Sequence, residues 1–383
     1  MTKKILFLFC FIQFSMGYCQ QFPISENTRI SIITVGLADE VHSLYGHTAL
    51  RIQDSKLNID LVYNYGMFDF ATENFVAKFT KGDLQYYATS YPYIDFEYSY
   101  REDNRSIYEQ VLDLSLIEKQ NLFNKLNTSL LPENTFYTYK FIDRNCTTKV
   151  VDIVNEVLDN KPVVKKNINS STYREVLYPY AENHFYNELG INLIFGQKVD
   201  KQATTIFLPL DLYNNLKIIS YKSKPLVSET NTIFEADRTT PTSYLDSIYS
   251  LIAVLLLFVI LNQKATNIIY FSVLGIIGLL FSFMSIYSFH KELYWNYNIL
   301  LLNPLFLFLV FFMIKNNTKW IKKVSLIGLL FLGTYCFYMI GKIHFPIVLP
   351  IVMATFILLL RLFFKSNPSL KESTGGSNLK SQV

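Results

Sequence analysis

Asp143-Arg144-Asn145-Cys146-Thr147-Thr148 is the stretch on which the reading of this chain turns. A polar loop ends there and an amphipathic run begins. Val150, Val151, Val154, Val157 and Leu158 recur at intervals of three and four, the spacing of one buried helix face. Cys146 therefore stands at an expected helix start, a position that lowers a thiol's pKa. The chain has only four cysteines. Cys10 and Cys19 lie in or beside an N-terminal apolar segment and Cys336 lies within an apolar span, so Cys146 has no obvious disulfide partner. A lone thiol so placed is either a small buried hydrophobe or a nucleophile.

Outward from this run the 383 residues divide sharply. Half are apolar and 16% are aromatic, but most of the apolar excess falls after residue 244. Residues 1–19 read as a secretory signal peptide: Lys3 and Lys4, an apolar stretch from Ile5 to Phe14, then small residues around Ser15 and Gly17. Bulky Tyr18 disfavours lipoprotein-type cleavage before Cys19. Residues 20–221 form an exported domain, 222–243 a polar linker, 244–364 a transmembrane domain and 365–383 a polar tail. A spanning helix needs roughly 20 apolar residues. Five stretches are expected to serve: 245–262, 267–289, 295–314, 324–341 and 345–364.

Lys315, Lys319, Lys322 and Lys323 in one loop, and Arg361, Lys365 and Lys371 after the last span, mark the cytoplasmic side. Counting back places the domain after the signal peptide outside, as the signal itself requires. The short loops holding His290 and, further on, Lys342 and His344 then lie on the outer face beneath that domain. The net charge of +4 is small and its lysines are spread, which speaks against nucleic acid. Five histidines without a tight Cys/His/Asp cluster argue against metal catalysis, and no cofactor is expected.

Within the exported half, strands are expected at 29–35, 47–53, 59–65, 84–88, 94–100, 106–112 and 135–142, and helices at 71–80, 115–130 and 146–158. The fold class is α+β with a mainly antiparallel sheet, followed by an all-α membrane domain. A second run, Ser43-Leu44-Tyr45-Gly46-His47-Thr48-Ala49-Leu50-Arg51, lets the chain turn at Gly46 and opens a strand at His47. An imidazole there can face the helix start and take the thiol proton, the pairing that thiol acyl transfer needs. His42 competes as base. Asp60, Asn64 and Asp69 are candidates to orient the imidazole. Asn64 is favoured because it lies mid-strand beside His47 if the two strands pair, whereas turn chemistry accounts for the two aspartates. The Cys146 backbone N–H is the first candidate oxyanion donor, with Ser43 and Tyr45 as second candidates.

Two resemblances bear on these residues. Gly-His-x-x-Leu followed later by Asn-Cys resembles the permuted, papain-like NlpC fold, shared in order by lecithin:retinol acyltransferase and its relatives. More extensively, Tyr45-Gly46-His47-Thr48-Ala49-Leu50-Arg51, Tyr63-Asn64-Tyr65-Gly66-x-Phe68-Asp69-Phe70, Asn145-Cys146-Thr147-Thr148 and His290-x4-Trp295-Asn296-x-Asn298 occur in this order. With a signal peptide ahead and a multi-span tail behind, the chain resembles the Lnb family.

That resemblance implies a lipoprotein N-acyltransferase in a bacterial inner membrane. Its acyl donor would be a phospholipid and its acceptor a diacylated lipoprotein. Cys146 would be the nucleophile and His47 the base. Asn145, Arg51, Asp69, His290, Asn296 and Asn298 would be substrate-side or membrane-face positions. A tethered cell-wall peptidase or amidase, and a non-enzymatic membrane scaffold, are the alternative readings.

Overall fold

The computed structural model describes residues 23–40, 43–166, 171–181, 183–237 and 243–365. The expected signal peptide, His42 and the tail beyond residue 365 lie outside these residues.

Among the described residues, alternating apolar and β-branched residues build an antiparallel sheet of seven strands. These are β1 (Arg29–Val35), β2 (His47–Asp54), β3 (Ile59–Met67), β4 (Gln85–Pro92), β5 (Ile107–Leu112), β6 (Phe136–Thr138) and β9 (Val227–Phe234). A two-stranded hairpin, β7 (Ser220–Tyr221) with β8 (Lys224–Pro225), stands apart. The spatial order is β6-β4-β3-β2-β1-β5-β9. Since successive side chains point to opposite faces of a strand, the sheet carries two cores. Leu50, Ile52, Tyr63 and Tyr65 pack with Val150, Ile153 and Val154 of the Cys146–Val157 helix and with Leu122 and Leu126 of the Leu116–Ser129 helix. On the other face, Ile33, Val35, Ala49 and Val62 pack with Tyr93 and Phe96.

Two sequence expectations fail here, and a third shrinks: the strand expected at 135–142 covers only Phe136–Thr138. Residues 94–100, read as a strand from alternating Phe96, Tyr98 and Tyr100, belong to a helix, Tyr93–Glu102. Its buried residues are Tyr93 and Phe96, while Ile94 and Tyr98 point to the surface, which is a helical spacing. The expected linker 222–243 is not a linker throughout. Val227–Phe234 pairs with β5 as a sheet edge, largely exposed, and its polar composition is that of an edge strand.

All five apolar stretches contain helix: Ile248–Leu261, Lys264–Tyr287, Leu305–Ile314, Thr318–Met339 and Phe345–Lys365. Among the described residues three of these are long and apolar enough to cross a membrane. A fourth crossing is counted if Lys291–Leu300 and Leu305–Ile314, bent by 41°, form one span. Ile248–Leu261 has 14 residues. At about 1.5 Å per residue this falls short of the ~30 Å hydrocarbon core.

The segment between the second and third of these helices docks the two halves together. Phe289 N–H donates to Lys81 O at 2.7 Å, and the Ser288 hydroxyl donates to Thr80 O at 2.7 Å. Gly196 N–H donates to Glu292 O at 2.7 Å. A Cβ on Gly196 would stand 2.1 Å from Tyr294 O, so only glycine permits this approach. Behind it lies an ionic cluster around the buried Arg174: Arg174 and Lys342 each pair with the half-buried Asp200 at 2.6 Å, and the Tyr297 hydroxyl donates to Asp200 at 2.7 Å.

Candidate active site at the Cys146 helix

Asn145 starts the Cys146–Val157 helix. Its Oδ1 accepts from Thr148 N–H at 3.0 Å and the Thr148 hydroxyl accepts from Asn145 N–H at 2.8 Å, a reciprocal capping box. The Asn145 Nδ2 donates to Phe141 O and Phe207 O, each at 2.8 Å. Every polar atom of this side chain is thereby used to fix the helix start, which makes Asn145 a cap. The loop before it is held from both halves: from the membrane side Ile142 N–H donates to the buried Glu292 carboxylate at 2.8 Å and Asp143 pairs with Lys291 at 3.5 Å, and within the outer domain Asp143 pairs with Lys198 at 2.7 Å.

His47 opens β2 on the opposite face of the sheet from the helix. It alternates in phase with Ala49, whose partner across the β2–β3 ladder is Asn64. Its Nε2 lies 2.5 Å from Asn64 Oδ1. A carbonyl oxygen can only accept, so Nε2 carries a proton toward Asn64 and Nδ1 is the ring nitrogen left to face a thiol. Asn64 is held in turn by donating from Nδ2 to the Tyr91 hydroxyl at 2.9 Å. The Tyr100 ring stacks 6.3 Å from the imidazole.

Thiol and imidazole meet at the end of the sheet, past Gly66. There the β3–β4 register slips between Tyr65 and Met67 and Gly66 takes φ +103°. A Cβ on Gly66 would lie 3.5 Å from Cys146 Cβ, 3.7 Å from His47 Cε1 and 3.9 Å from the Tyr137 hydroxyl. The missing side chain leaves a small space that these three groups border. Thr48 and Thr147, whose hydroxyls are 3.0 Å apart, tie strand to helix beside it.

Burial pushes the Cys146 thiol up, but the His47 charge and hydrogen bonds from His47, the Thr48 backbone and Thr147 outweigh it. The thiol titrates below its ordinary range. Cys146 is partly exposed and free. A low-pKa thiol beside an oriented imidazole is competent for nucleophilic chemistry.

The structure thus brings together Cys146, His47 and Asn64. Other expected positions lie elsewhere. Arg51 is a buried structural cation: it pairs with Asp60 at 2.7 Å and Glu109 at 3.2 Å and stacks 3.4 Å over the Tyr93 ring. Asp69 is exposed and accepts from Ala71 N–H at 2.8 Å, as turn chemistry predicts. The Ser43 hydroxyl donates to Glu40 O at 3.2 Å, and the Tyr45 ring packs on Phe141 and Tyr180.

The membrane-face motif is spent on docking. Asn296 Nδ2 donates to Leu193 O and Ile194 O, each at 2.9 Å. Asn298 Nδ2 donates to Asn192 O at 2.9 Å, while its Oδ1 accepts from the Tyr335 hydroxyl at 2.8 Å. His290 Nε2 lies 3.0 Å from Phe79 O, and His344 Nε2 lies 3.0 Å from the Tyr297 hydroxyl. Neither histidine joins His47. Sequence reasoning missed Glu292, Tyr91 and Tyr137, which no local pattern distinguishes.

These features define a membrane-attached protein whose outer domain carries a thiol–imidazole–amide group. Residues 20–178 match the Lnb N-terminal periplasmic domain and residues 233–372 the Lnb transmembrane domain. The chain belongs to the Lnb family, as a membrane protein with a periplasmic domain. No curated protein and no solved structure matches it.

Proposed function

We propose that this protein is a cysteine-dependent lipoprotein N-acyltransferase of the bacterial inner membrane. It moves an acyl chain from a phospholipid to the N-terminal amine of a diacylglyceryl-cysteine lipoprotein. The observation that carries this reading is the low-pKa Cys146 thiol, bordering the same gap as a His47 ring oriented by Asn64. That the loop ahead of Cys146 is bonded to Glu292 of the membrane half favours substrates held in the bilayer.

The cycle is ping-pong. His47 Nδ1 takes the thiol proton, and the thiolate attacks the ester carbonyl to form a tetrahedral oxyanion. Its collapse breaks the ester C–O bond, leaves the acyl group as a thioester, and His47 returns the proton to the departing lysophospholipid oxygen. The neutral amine then attacks the thioester. His47 removes the proton from nitrogen, the C–S bond breaks, and thiolate and amide are formed.

Cys146→Ala is expected to abolish N-acylation while leaving membrane insertion intact. Mass spectrometry of lipoprotein N-termini, in cells with the variant as sole such enzyme, decides the matter. Triacylated termini persisting at the parent level refute the thioester route. A hydroxylamine-labile acyl group on Cys146 supports it.

A further inference from the structure

We propose that the Tyr137 hydroxyl is an oxyanion donor at this site, acting with the Cys146 backbone N–H on the tetrahedral intermediate. The inference rests on the acyl-transfer reading and adds a catalytic residue to it.

Tyr137 sits on the short edge strand β6, paired opposite Tyr86. The residue is 4% exposed, and its hydroxyl has no hydrogen-bond partner among the described residues. Buried hydroxyls are ordinarily paired, because water is lost and nothing replaces it. Two nearby tyrosines obey that rule: Tyr65 shares a hydrogen bond with Ser129 at 2.7 Å, and Tyr91 accepts from Asn64 at 2.9 Å. The Tyr137 hydroxyl instead lies 3.9 Å from where a Cβ on Gly66 would stand, at the edge of the space that Cys146 and His47 also border.

The two sides of that space are chemically distinct. His47, held by Asn64, reaches it from one face of the sheet. Tyr137 reaches it from the face that carries the Cys146 helix, since its partner Tyr86 is in phase with Ala88 of that core. A carbonyl attacked by Cys146 there has the base on one side and a phenol O–H on the other. Burial first, and then the charge at Cys146, hold the Tyr137 phenol well above its ordinary range, so it stays protonated as a donor. Arg144 and Lys149 stand 5.5 Å and 5.4 Å from the ring centroid, and their charges favour an anion nearby. The second donor is the Cys146 N–H, which at the first turn of a helix has no intrahelical acceptor.

The donor acts in both half-reactions. When the thiolate attacks, the carbonyl π pair moves onto oxygen, which accepts from Tyr137 Oη–H and from Cys146 N–H. When the tetrahedral adduct collapses, the pair returns and the leaving group departs. Tyr137 keeps its proton throughout. Tyr45, the earlier candidate for this role, also has an unpartnered buried hydroxyl, but its ring lies in the Phe141–Tyr180 cluster.

The test is Tyr137→Phe in the full-length protein, reconstituted in phosphatidylethanolamine–phosphatidylglycerol vesicles with a diacylglyceryl-cysteine peptide as acceptor. Removing one oxyanion donor should lower kcat by about 100-fold or more. KM should stay within about twofold if the phenol acts only in the transition state. The pH profile of Cys146 alkylation by iodoacetamide should not move, and the melting temperature should hold or rise, since no bond to the hydroxyl is lost. A kcat within about threefold of the parent, or a displaced alkylation profile, overturns the assignment. Cys146→Ala, run alongside, separates the two readings. If that variant still transfers acyl groups at the parent rate, the thioester route itself fails. If it is inactive while Tyr137→Phe is fully active, only the oxyanion assignment fails.

Discussion

Replacing Gly66 by alanine separates folding from chemistry at this site. Its φ of +103° lies where residues with a side chain rarely go, and such a strained residue costs on the order of 1–3 kcal/mol. Steric overlap adds little, because the new methyl would meet Cys146 Cβ, His47 Cε1 and the Tyr137 hydroxyl at 3.5, 3.7 and 3.9 Å, ordinary contact distances. With about 2–4 °C of melting temperature per kcal/mol in a domain of this size, the protein should lose roughly 2–12 °C and remain folded at 25 °C. The methyl nevertheless fills the space in which the proposed acyl transfer would place the attacked carbonyl. Acyl transfer should therefore fall by about 100-fold or more, far beyond the stability loss, as displacement of a near-attack geometry does. The assay is thermal melting of the full-length protein beside acyl transfer to a lipopeptide in vesicles. Turnover within a few-fold of the parent, in a variant that folds, refutes the claim that chemistry occurs over Gly66.

Other outcomes follow from the same geometry. His47→Ala removes the charge and hydrogen bond that oppose burial of the thiol, so the alkylation midpoint of Cys146 should move up in pH. An unchanged midpoint contradicts the His47 contact. Glu292→Ala leaves the Ile142 N–H without its acceptor, at a cost of about 1–3 kcal/mol. Hydrogen exchange over residues 140–146 should speed up in Glu292→Ala and stay protected in Glu292→Gln, which keeps an acceptor oxygen. Glu118 is pushed up by burial, but hydrogen bonds from Lys222, Tyr221 and Ser115 overcome this and hold it at about 2. A depressed carboxylate stabilises above its unfolded pKa, so up to about 3 kcal/mol should be present near neutrality and lost as pH falls from ~4.5 toward 2. Acid unfolding of Glu118→Gln should lack this component, and an identical acid profile contradicts the network.

What could be read from the chain tracks how local each signal is. The helix at Cys146 begins at its expected residue because cap and apolar face both lie within fifteen positions, and β1, β2 and β3 are legible from their β-branched and apolar composition. Asn64 is legible through the β2–β3 pairing that sets it beside His47. Tyr93–Glu102 misled because its aromatics suit either period, and only packing against Ile33 and Val62 decides. β9 misled because Ser228, Glu229, Thr230, Asn231 and Thr232 read as solvent-loving, as the residues of an exposed edge are. Arg51 sits in the His47 motif, but its charge is buried among Asp60, Glu109 and Tyr93. Glu292 is 150 positions from Ile142, and Tyr137 acquires its place through a three-residue strand. Neither leaves a periodic trace.

The Ile142–Glu292 bond and the fit of Gly196 against Tyr294 also bear on how such a protein can be rebuilt. The outer domain and the helix bundle are not interchangeable parts. A fragment cut at residue 221 lacks β9 as well as the carboxylate that holds the Cys146 loop, so its thiol is not the thiol of the whole protein. A chimera that exchanges bundles between relatives must carry residues 141–146, 192–196 and 289–298 together, or it will join two sound halves across a broken seam.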